Sequence, residues 1–363
     1  MTTLVSFAQR IVDLAAADPN RVAITCGADS VTRAELNARA NALARDLQGA
    51  GVGVGDMVTI ALPNSVQWFV SAVACWKIGA VPQPVSSRLP GRELEQIVEL
   101  ADPRVVIGAE VAGRTCFPIG FAPSGDEGPL PDAVSPAFKA PTSGGSTGRP
   151  KLIVSGDRSL FDPEASPQFL VTPDGCMVMP GPLYHNGPLG WSVAALLWGN
   201  HVVVLPRFDA EATLAALAEH RADIVYLVPT MMKRIWRLPE DVRLSYDLSA
   251  LRVVWHLAEP CPEWLKQAWI DWLGPERIFE LYAGTEAQAA TIITGQEWLE
   301  HRGSVGRAAA GEIKILDIDG NPVPAGEMGE VWMRRTRAAR PPSRRPPRQW
   351  RGPGCQGHRQ ATR

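Results

Sequence analysis

The stretch MVTIALPNSVQWFVSAVACWKIGAVPQPV, residues 57–85, decides the fold class of this chain. Its first six residues, Met57–Leu62, form an apolar run typical of a buried strand. Asn64 or Ser65 can then cap a helix, and Ala80–Val85 predicts the next strand. A strand, a helix and a second strand at this spacing favour a parallel, doubly wound α/β sheet.

The same alternation extends to both sides of this stretch. Upstream, Thr32 and Glu35 have the spacing of a capping box at the start of an amphipathic helix over Ala34–Leu47. Downstream, the pattern predicts a helix over Glu93–Leu100 and a strand over Arg104–Ile107. The first hundred residues therefore predict one α/β unit.

A second round of strands and helices follows residue 200. Strands are predicted over Val202–Leu205, Ile224–Val228, Arg252–Trp255 and Ile278–Leu281, and helices near 210–220, 229–236 and 263–273. The pattern then changes to Glu312–Ile318 and Gly329–Met333 around Asp319-Gly320, which indicates an antiparallel hairpin. We expect two similar, stacked α/β subdomains followed by a small β hairpin or barrel region.

Composition excludes several classes of protein. The chain has 363 residues, of which 45% are hydrophobic and 20% charged, so wholesale disorder is excluded. No run of 18 apolar residues predicts a membrane span, and the first residues do not resemble a secretory signal. The six cysteines are scattered without paired spacing, which disfavours a disulfide framework or a zinc site. A cytoplasmic location fits this pattern best.

The net charge of −2 conceals a strongly basic end. Residues 334–363 contain ten Arg and no acidic residue, which leaves 26 basic against 38 acidic residues in 1–333. The acidic body disfavours nucleic acid as a partner. The Arg/Pro-rich tail predicts a disordered extension, and out-of-frame translation of GC-rich coding DNA explains its composition better than a natural low-complexity tail does.

The segment TSGGSTGRPK, Thr142–Lys151, carries the strongest chemical signal. Its glycines let backbone N–H groups converge on an anion, while its hydroxyls and Lys151 add donors and positive charge. Pro150 and Leu152 flank the lysine, so the P-loop pattern of NTPases does not apply. A phosphate cradle is favoured over a merely flexible, exposed loop.

This segment resembles the phosphate-binding signature of the acyl-adenylate-forming enzymes, which include acyl-CoA synthetases, firefly luciferase and peptide synthetase adenylation domains. Further segments match that family in the same order: Pro182-Leu-Tyr-His-Asn186, Leu281-Tyr-Ala-Gly-Thr-Glu286, Gly303-Ser-Val-Gly-Arg307 and Gly326-Glu-Met-Gly-Glu330. The resemblance covers about residues 5–333. It is closest to bacterial fatty-acid and bile-acid CoA ligases, and it implies the large N-terminal domain of an acid–CoA ligase over residues 1–333.

The resemblance implies a set of site residues. The β- and γ-phosphates of ATP would be held by Ser143, Gly144, Gly145, Ser146, Thr147, Gly148 and Lys151. The rest of the nucleotide would contact Tyr282, Gly284, Thr285, Glu259 and Pro260. Thr285 would contact the α-phosphate, Glu286 would hold Mg²⁺, and His185 would border the substrate carboxylate. The catalytic residues implied are therefore His185, Thr285 and Lys151, and the co-substrates are ATP, a hydrophobic fatty or steroid-like acid, and CoA.

Two features depart from the family pattern. Glu259 stands where a small residue is usual, and a carboxylate there could alter adenine packing or repel phosphate. The ribose-binding aspartate, the hinge and the small C-terminal domain of the family have no counterpart here, which predicts weak nucleotide affinity and no thioester synthesis by this chain alone. A homodimer and a separate chain that supplies the small domain remain open as partners.

Three alternatives stay open. The chain could be a non-catalytic remnant that retains an acyl or nucleotide pocket, or its basic tail could bind nucleic acid, which the acidic body disfavours. The apolar residues of Gly187–Trp198 fit an acyl tunnel and a buried helix equally well. For Trp255, Trp264, Trp269 and Trp272, core packing is favoured over a ligand cage.

Overall fold

The computed structural model describes residues 4–144 and 150–336. The strands are β1 Val5–Ser6, β2 Val22–Cys26, β3 Asp29–Thr32, β4 Met57–Ile60, β5 Val81–Pro84, β6 Val105–Ile107, β7 Thr115–Phe117, β8 Thr142–Gly144, β9 Pro150–Leu152, β10 Leu160–Phe161, β11 Cys176–Met179, β12 His201–Val204, β13 Ile224–Leu227, β14 Val253–Leu257, β15 Ile278–Ala283, β16 Ala290–Thr294, β17 Arg307–Ala310, β18 Glu312–Leu316 and β19 Glu330–Arg334. The α-helices are α1 Phe7–Ala17, α2 Arg33–Gly49, α3 Val66–Lys77, α4 Gly91–Ala101, α5 Asn186–Leu197, α6 Ala210–Glu219, α7 Pro229–Trp236, α8 Glu240–Leu244, α9 Glu263–Leu273 and α10 Gly295–Glu300.

The predicted first unit is confirmed. Strands β4, β5, β6 and β7 form a parallel sheet in the order β5-β4-β6-β7, which α3 and α4 connect. The local signals act as expected: Thr32 and Glu35 form the capping box of α2, and the Ser65 hydroxyl accepts the Trp68 N–H at 3.1 Å to cap α3. Gly79 follows α3 with φ +72°, a conformation that suits glycine.

The second unit is a larger mixed sheet than the sequence predicts. Within the described residues its order is β17-β16-β15-β14-β13-β11-β12-β2-β3, and the strands from β15 to β2 are parallel. The predicted α/β fold class is confirmed, but the two sheets are not similar in size, since the first has four strands and the second nine among the described residues. The reason is non-local pairing: β2, from the start of the chain, adds beside β12, while β16 and β17 extend the opposite side in antiparallel fashion.

The large sheet, here called the central sheet, separates two apolar cores. On one face, Met177, Tyr226 and Trp255 belong to a core that also includes α1, α2, α3 and α5. On the other face, Val225 and Val254 pack with α6, α7 and α9. Successive side chains along each parallel strand thus pack alternately into one core and the other. None of the helices in residues 4–144 and 150–336 has the length and apolarity that a membrane span needs.

The four tryptophans expected in the core do not all lie there. Trp255 and Trp269 are buried, but Trp264 is 51% exposed. The buried face of α9 runs through Leu265, Trp269 and Leu273, and Trp264 falls outside that stripe. The prediction is therefore wrong for Trp264.

The predicted antiparallel hairpin is confirmed near the end of the described chain. Strands β18 and β19 pair in register from Glu312 with Arg334 to Leu316 with Glu330. Of the basic tail, residues 337–363 lie outside the described residues. The proposed boundary between a domain over 1–333 and a disordered tail over 334–363 therefore stays a prediction.

Candidate nucleotide and acid site

The candidate site residues gather where the parallel strands of the central sheet end. Leu227 pairs with His256, and Leu257 pairs with Leu281, so the carboxyl ends of β13, β14 and β15 lie side by side. Ligands of open α/β sheets bind at such ends. We call this region the carboxyl edge, and the loops that follow β11, β13, β14 and β15 form it.

The loop after β15 brings together three of the predicted residues. Gly284, Thr285 and Glu286 form a turn in which the Ala287 N–H donates to the Gly284 carbonyl at 3.0 Å. A Cβ atom on Gly284 would lie 2.7 Å from Gln288 Oε1 and 3.4 Å from Glu286 Oε2, so glycine permits these groups to converge. Thr285 is half-buried and Glu286 exposed, while Tyr282 lies on β15 just before the turn.

The metal prediction has limited support in the geometry. Glu286 is an exposed carboxylate, and oxygen is the ligand that Mg²⁺ prefers. Within the described part of the chain, no group of three or more His, Cys, Asp or Glu side chains could hold a metal ion. The assignment of Glu286 as a Mg²⁺ ligand therefore stays a prediction.

The loop after β14 explains how the chain accommodates Glu259. Its carboxylate accepts the Thr230 N–H at 3.0 Å and the Thr230 hydroxyl at 2.7 Å, and so caps the first turn of α7. The negative charge thus lies at the positive end of a helix. Pro260 follows Glu259 in the same loop, and Ala258 precedes it with φ +72°, a left-handed conformation unusual for alanine.

His185 lies at the carboxyl edge, at the start of α5. It is the N-cap residue of that helix, but its side chain makes no capping hydrogen bond. The exposed imidazole lies against the Tyr184 ring, with centroids 4.3 Å apart. Partial desolvation by the surrounding protein lowers the pKa of His185, so the neutral ring predominates near pH 7. Its predicted place beside a substrate carboxylate stays a prediction.

The Gly/Ser segment is described only at its base. Strand β8 pairs with β9 in antiparallel fashion, with Ser143 opposite Lys151 and Gly144 opposite Pro150. Lys151 is half-buried. Four of the predicted phosphate ligands, Gly145, Ser146, Thr147 and Gly148, lie outside the described residues.

The residues of the suggested acyl tunnel form a buried helix. Leu189, Val193, Leu196 and Leu197 of α5 pack into the main core. Trp191 of this helix instead faces aromatic side chains of the central sheet.

The sequence analysis did not identify two polar side chains near α5, those of Tyr226 and Lys139. A side chain at Gly187 would run into the Tyr226 hydroxyl, and burial raises the pKa of that phenol. Lys139 Nζ lies 4.8 Å from the centroid of the Phe138 ring, and burial lowers its pKa to about 8. The two glycines of α5, Gly187 and Gly190, were the only local signal, because each leaves room for one of these side chains.

A second group of charged residues lies at the opposite end of the central sheet. A cavity of about 370 Å³ is lined by Arg21, Val22, Asp174, Gly175, Cys176, His201, His220, Arg221 and Asp223. These residues are located where β2, β11 and β12 begin and where α6 ends. We call this region the amino edge, and it contains none of the predicted site residues.

Comparison with known proteins identifies the family to which the chain belongs. The profile of the family described as "AMP-binding enzyme" matches residues 12–340. A feruloyl-CoA synthase of Amycolatopsis is 29% identical over 335 residues, which is 86% of this chain and 66% of that protein. A 3-hydroxybenzoate–CoA/4-hydroxybenzoate–CoA ligase of Thauera aromatica is 28% identical over 338 residues, 84% of this chain and 64% of that protein.

Solved structures show the same fold. The N-terminal domain of FACL13 from Mycobacterium tuberculosis has a TM-score of 0.76 at 22% identity, covering 92% of this chain and 89% of that one. The o-succinylbenzoate CoA synthetase of Bacillus subtilis, solved with the acyl-adenylate OSB-AMP, has a TM-score of 0.76 at 20% identity, covering 92% and 70%. Because the family profile spans nearly the whole described chain, this protein belongs to the AMP-binding enzyme family.

Proposed function

We propose that this chain is the large domain of an ATP-dependent acid–CoA ligase. In the first step the substrate carboxylate attacks the α-phosphorus of ATP, which forms an acyl adenylate and releases pyrophosphate. In the second step the CoA thiol attacks the acyl carbon, which forms the thioester and releases AMP. The observation that carries the proposal is that the Ala258–Pro260 loop and the Gly284–Glu286 turn follow adjacent parallel strands, in which Leu257 pairs with Leu281.

The first step is mainly an electrostatic problem, since two anions must approach each other. We assign Lys151 and the Ser143–Gly148 segment to the β- and γ-phosphates, and Thr285 to the α-phosphate. Tyr282, with Glu259-Pro260 opposite it, would bracket the adenine. Mg²⁺ held by Glu286 would neutralise charge on the phosphates. His185, neutral near pH 7, would donate or accept a hydrogen bond beside the acid without adding charge.

The substrate in this proposal is an apolar carboxylic acid. The original expectation of a fatty or steroid-like acid stays a prediction, and the names of the relatives above favour aromatic acids. CoA would be the acceptor in the complete protein, in a compartment that supplies ATP and CoA, such as the cytoplasm. The remaining third of the ligase architecture, on this chain or on another, would complete the thioester step.

Acid-dependent exchange of labelled pyrophosphate into ATP tests the proposal. The purified chain is assayed with a panel of aromatic, fatty and steroid-like acids, with Mg²⁺ present or chelated. We expect exchange with at least one acid, its loss on chelation, and a drop of about 100-fold in Glu286→Gln. Glu300→Gln, which removes an exposed carboxylate on α10, is the matched control and should keep full exchange.

The competing interpretation is a non-catalytic remnant that still binds an acid or a nucleotide. It predicts no exchange with any acid, even when calorimetry detects ATP or acid binding. Exchange that Glu286→Gln leaves unchanged would contradict the assigned metal site but not the enzyme class.

A further inference from the structure

The hairpin of β18 and β19 lies outside the apolar cores of the described chain. It forms a separate two-stranded sheet, and none of the residues from 302 to 336 is buried. Ile315 is 37% exposed and Trp332 38%, while Met328, in the segment that connects the two strands, is 97% exposed. A two-stranded sheet is only marginally stable by itself, and further strands stabilise it. The hairpin therefore presents a surface that favours pairing with another strand.

The outer edge of β19 has backbone groups that no described strand pairs with. Within residues 4–144 and 150–336, β19 pairs with β18 alone. The Ile315 carbonyl accepts the Val323 N–H at 3.1 Å, so the backbone groups of Ile315 point away from β19. Ile315 lies opposite Val331, and in such a pair both residues direct their N–H and C=O groups away from each other. Val331 and Met333 therefore present their backbone groups at the outer edge of β19.

The outer strands of the two larger sheets are less suited to pairing with another chain. Pro82 and Pro84 interrupt β5, and β7 has only three residues. Strand β3 begins with Asp29-Ser30, and β17 has no apolar side chain larger than alanine. Short strands, prolines and polar side chains are the usual means of blocking an edge. The edge of β19, with the apolar run Val331–Met333, has none of these features.

The sequence of β19, Glu330-Val-Trp-Met-Arg334, is complementary to itself in an antiparallel pair. When Trp332 lies opposite Trp332 of a second copy, Glu330 lies opposite Arg334 of that copy, and Arg334 opposite its Glu330. Val331 and Met333 are then opposite each other, and their outward backbone groups exchange hydrogen bonds. A shift of the second strand by two residues in either direction removes both charge pairs. Charge complementarity therefore favours this one register.

We propose that the outer edge of β19 is a dimerisation site, at which a second copy of this chain pairs in antiparallel fashion. The two hairpins form one continuous sheet around a two-fold axis that passes between the two Trp332 side chains. Arg334, whose side chain is 75% exposed, contacts Glu312 of its own chain at 2.5 Å and Glu330 of the second copy. Because a single five-residue strand buries less area than permanent interfaces do, we expect a dissociation constant on the order of 10 µM.

Sedimentation equilibrium of the full chain, from about 1 to 200 µM, tests this proposal. Glu330→Arg and Arg334→Glu each place like charges opposite each other in both symmetric pairs. The double variant Glu330→Arg/Arg334→Glu restores opposite charges in the same register. Glu327→Arg is the matched control, because it makes the same change of charge at an exposed position of the connecting segment.

We expect each single charge reversal to weaken dimerisation at least about tenfold, since attraction becomes repulsion at two places. The double variant should recover the wild-type dissociation constant to within about threefold. Glu327→Arg should dimerise like the wild-type chain.

Cysteine cross-linking tests the register by a second route. In the proposed pair the two Cα atoms at position 332 are about 4.5 Å apart, which a disulfide spans, whereas those at position 333 are about 8 Å apart, which it does not. With oxidised glutathione as the oxidant, Trp332→Cys should form a disulfide-linked dimer. Met333→Cys should show no more cross-linking than the wild-type chain, whose own cysteines give the background.

Four results would overturn the proposal. They are a wild-type chain that remains monomeric at about 200 µM, a dimer that neither single charge reversal weakens, a double variant that fails to recover, and equal cross-linking at positions 332 and 333. Neither measurement depends on acid activation, so these results and those of the exchange assay are independent of each other.

Discussion

The two ends of the central sheet use polar groups in different ways. At the amino edge the charged groups are engaged by neighbours: Asp174 pairs with Arg33, and Asp223 accepts the Cys176 N–H at 2.9 Å and pairs with Arg252 at 3.2 Å. Arg33 also donates to the carbonyl of Gly199 at 2.6 Å, just after α5 ends. These contacts satisfy carbonyl groups and negative dipole ends where helices terminate.

At the carboxyl edge and beneath it, polar groups are left without protein partners. Gln288 Oε1 beside the Gly284 turn and Trp191 Nε1 are both buried without hydrogen bonds in the described chain. The exposed Glu286 carboxylate makes no ion pair there within 4.0 Å. The comparison teaches that a cavity lined by charged residues is not by itself a binding site, because at the amino edge many of those charges already stabilise the fold.

The largest expected effect is at the carboxyl edge. Thr285→Val removes the hydroxyl assigned to the α-phosphate while keeping the shape of the side chain. We expect acid-dependent exchange to fall about 100-fold, since a lost contact to developing charge costs roughly 3 kcal/mol of barrier. The free energy of unfolding should change by less than about 0.5 kcal/mol. Thr115→Val on β7, an exposed position outside the carboxyl edge, is the control; equal exchange in both variants would contradict the assignment of Thr285 to the site.

At the amino edge we expect a substitution to lower stability and to leave exchange unchanged. Arg33 is 6% exposed, and Arg33→Ala would leave Asp174 and the Gly199 carbonyl without their donor. We expect a loss of about 2 to 3 kcal/mol in the free energy of unfolding, measured in urea, with exchange per folded molecule unchanged. Arg39→Ala on the same helix should cost less than about 0.5 kcal/mol. A large loss of exchange in a folded Arg33→Ala chain would break the contrast between the two edges.

Local signals explain why much of the fold could be predicted. The Thr32–Glu35 capping box and the Ser65 cap act within one helical turn, and apolar runs such as Ile224–Leu227 are buried on both faces. The predicted boundaries consequently lie within a few residues of the observed ones. The loops after β14 and β15 could be assigned to one edge because parallel strands end together.

Contacts between distant residues explain what the sequence could not show. Nothing near Val22–Cys26 indicates that it adds to a strand 180 residues later, and no pattern joins Thr230 to Glu259. The stack of Phe169 on Trp191 depends on a left-handed backbone at a residue that seldom adopts it. Such features follow from packing of the whole chain.

A smaller effect is expected from the titration of His201 at the amino edge. Burial, helped by the charges of His220 and Arg21, lowers its pKa from 6.5 to about 4. The unfolded chain therefore binds this proton at a higher pH than the folded chain, and stability falls as the pH drops from about 7 towards 4. Between about pH 7 and pH 5, this titration should lower the free energy of unfolding of the wild-type chain by about 1 to 2 kcal/mol, allowing for the partial exposure of His201. His201→Gln should not show this part of the decrease.

The control for this measurement is His301→Gln, which changes an exposed imidazole and should retain the full wild-type pH dependence. Acid-dependent pyrophosphate exchange, measured at each pH, reports on the carboxyl edge. The two substitutions should leave exchange unchanged, because neither imidazole is assigned to the proposed site. If the free energy of unfolding of His201→Gln decreased with falling pH as steeply as that of the wild-type chain, groups other than His201 would cause the pH dependence.

The smallest effect is expected from Ala258→Gly, at the carboxyl edge itself. Glycine adopts the observed φ of +72° without steric cost, so the substitution should raise the free energy of unfolding by about 0.5 to 1 kcal/mol. Ala215→Gly, in the middle of α6, should lower it by a similar amount, because there glycine only adds chain entropy. Urea unfolding of both variants separates the two outcomes. A lower free energy of unfolding in Ala258→Gly would mean that contacts of the alanine methyl group offset the strain in the loop before Glu259. This part of the carboxyl edge would then be tightly packed.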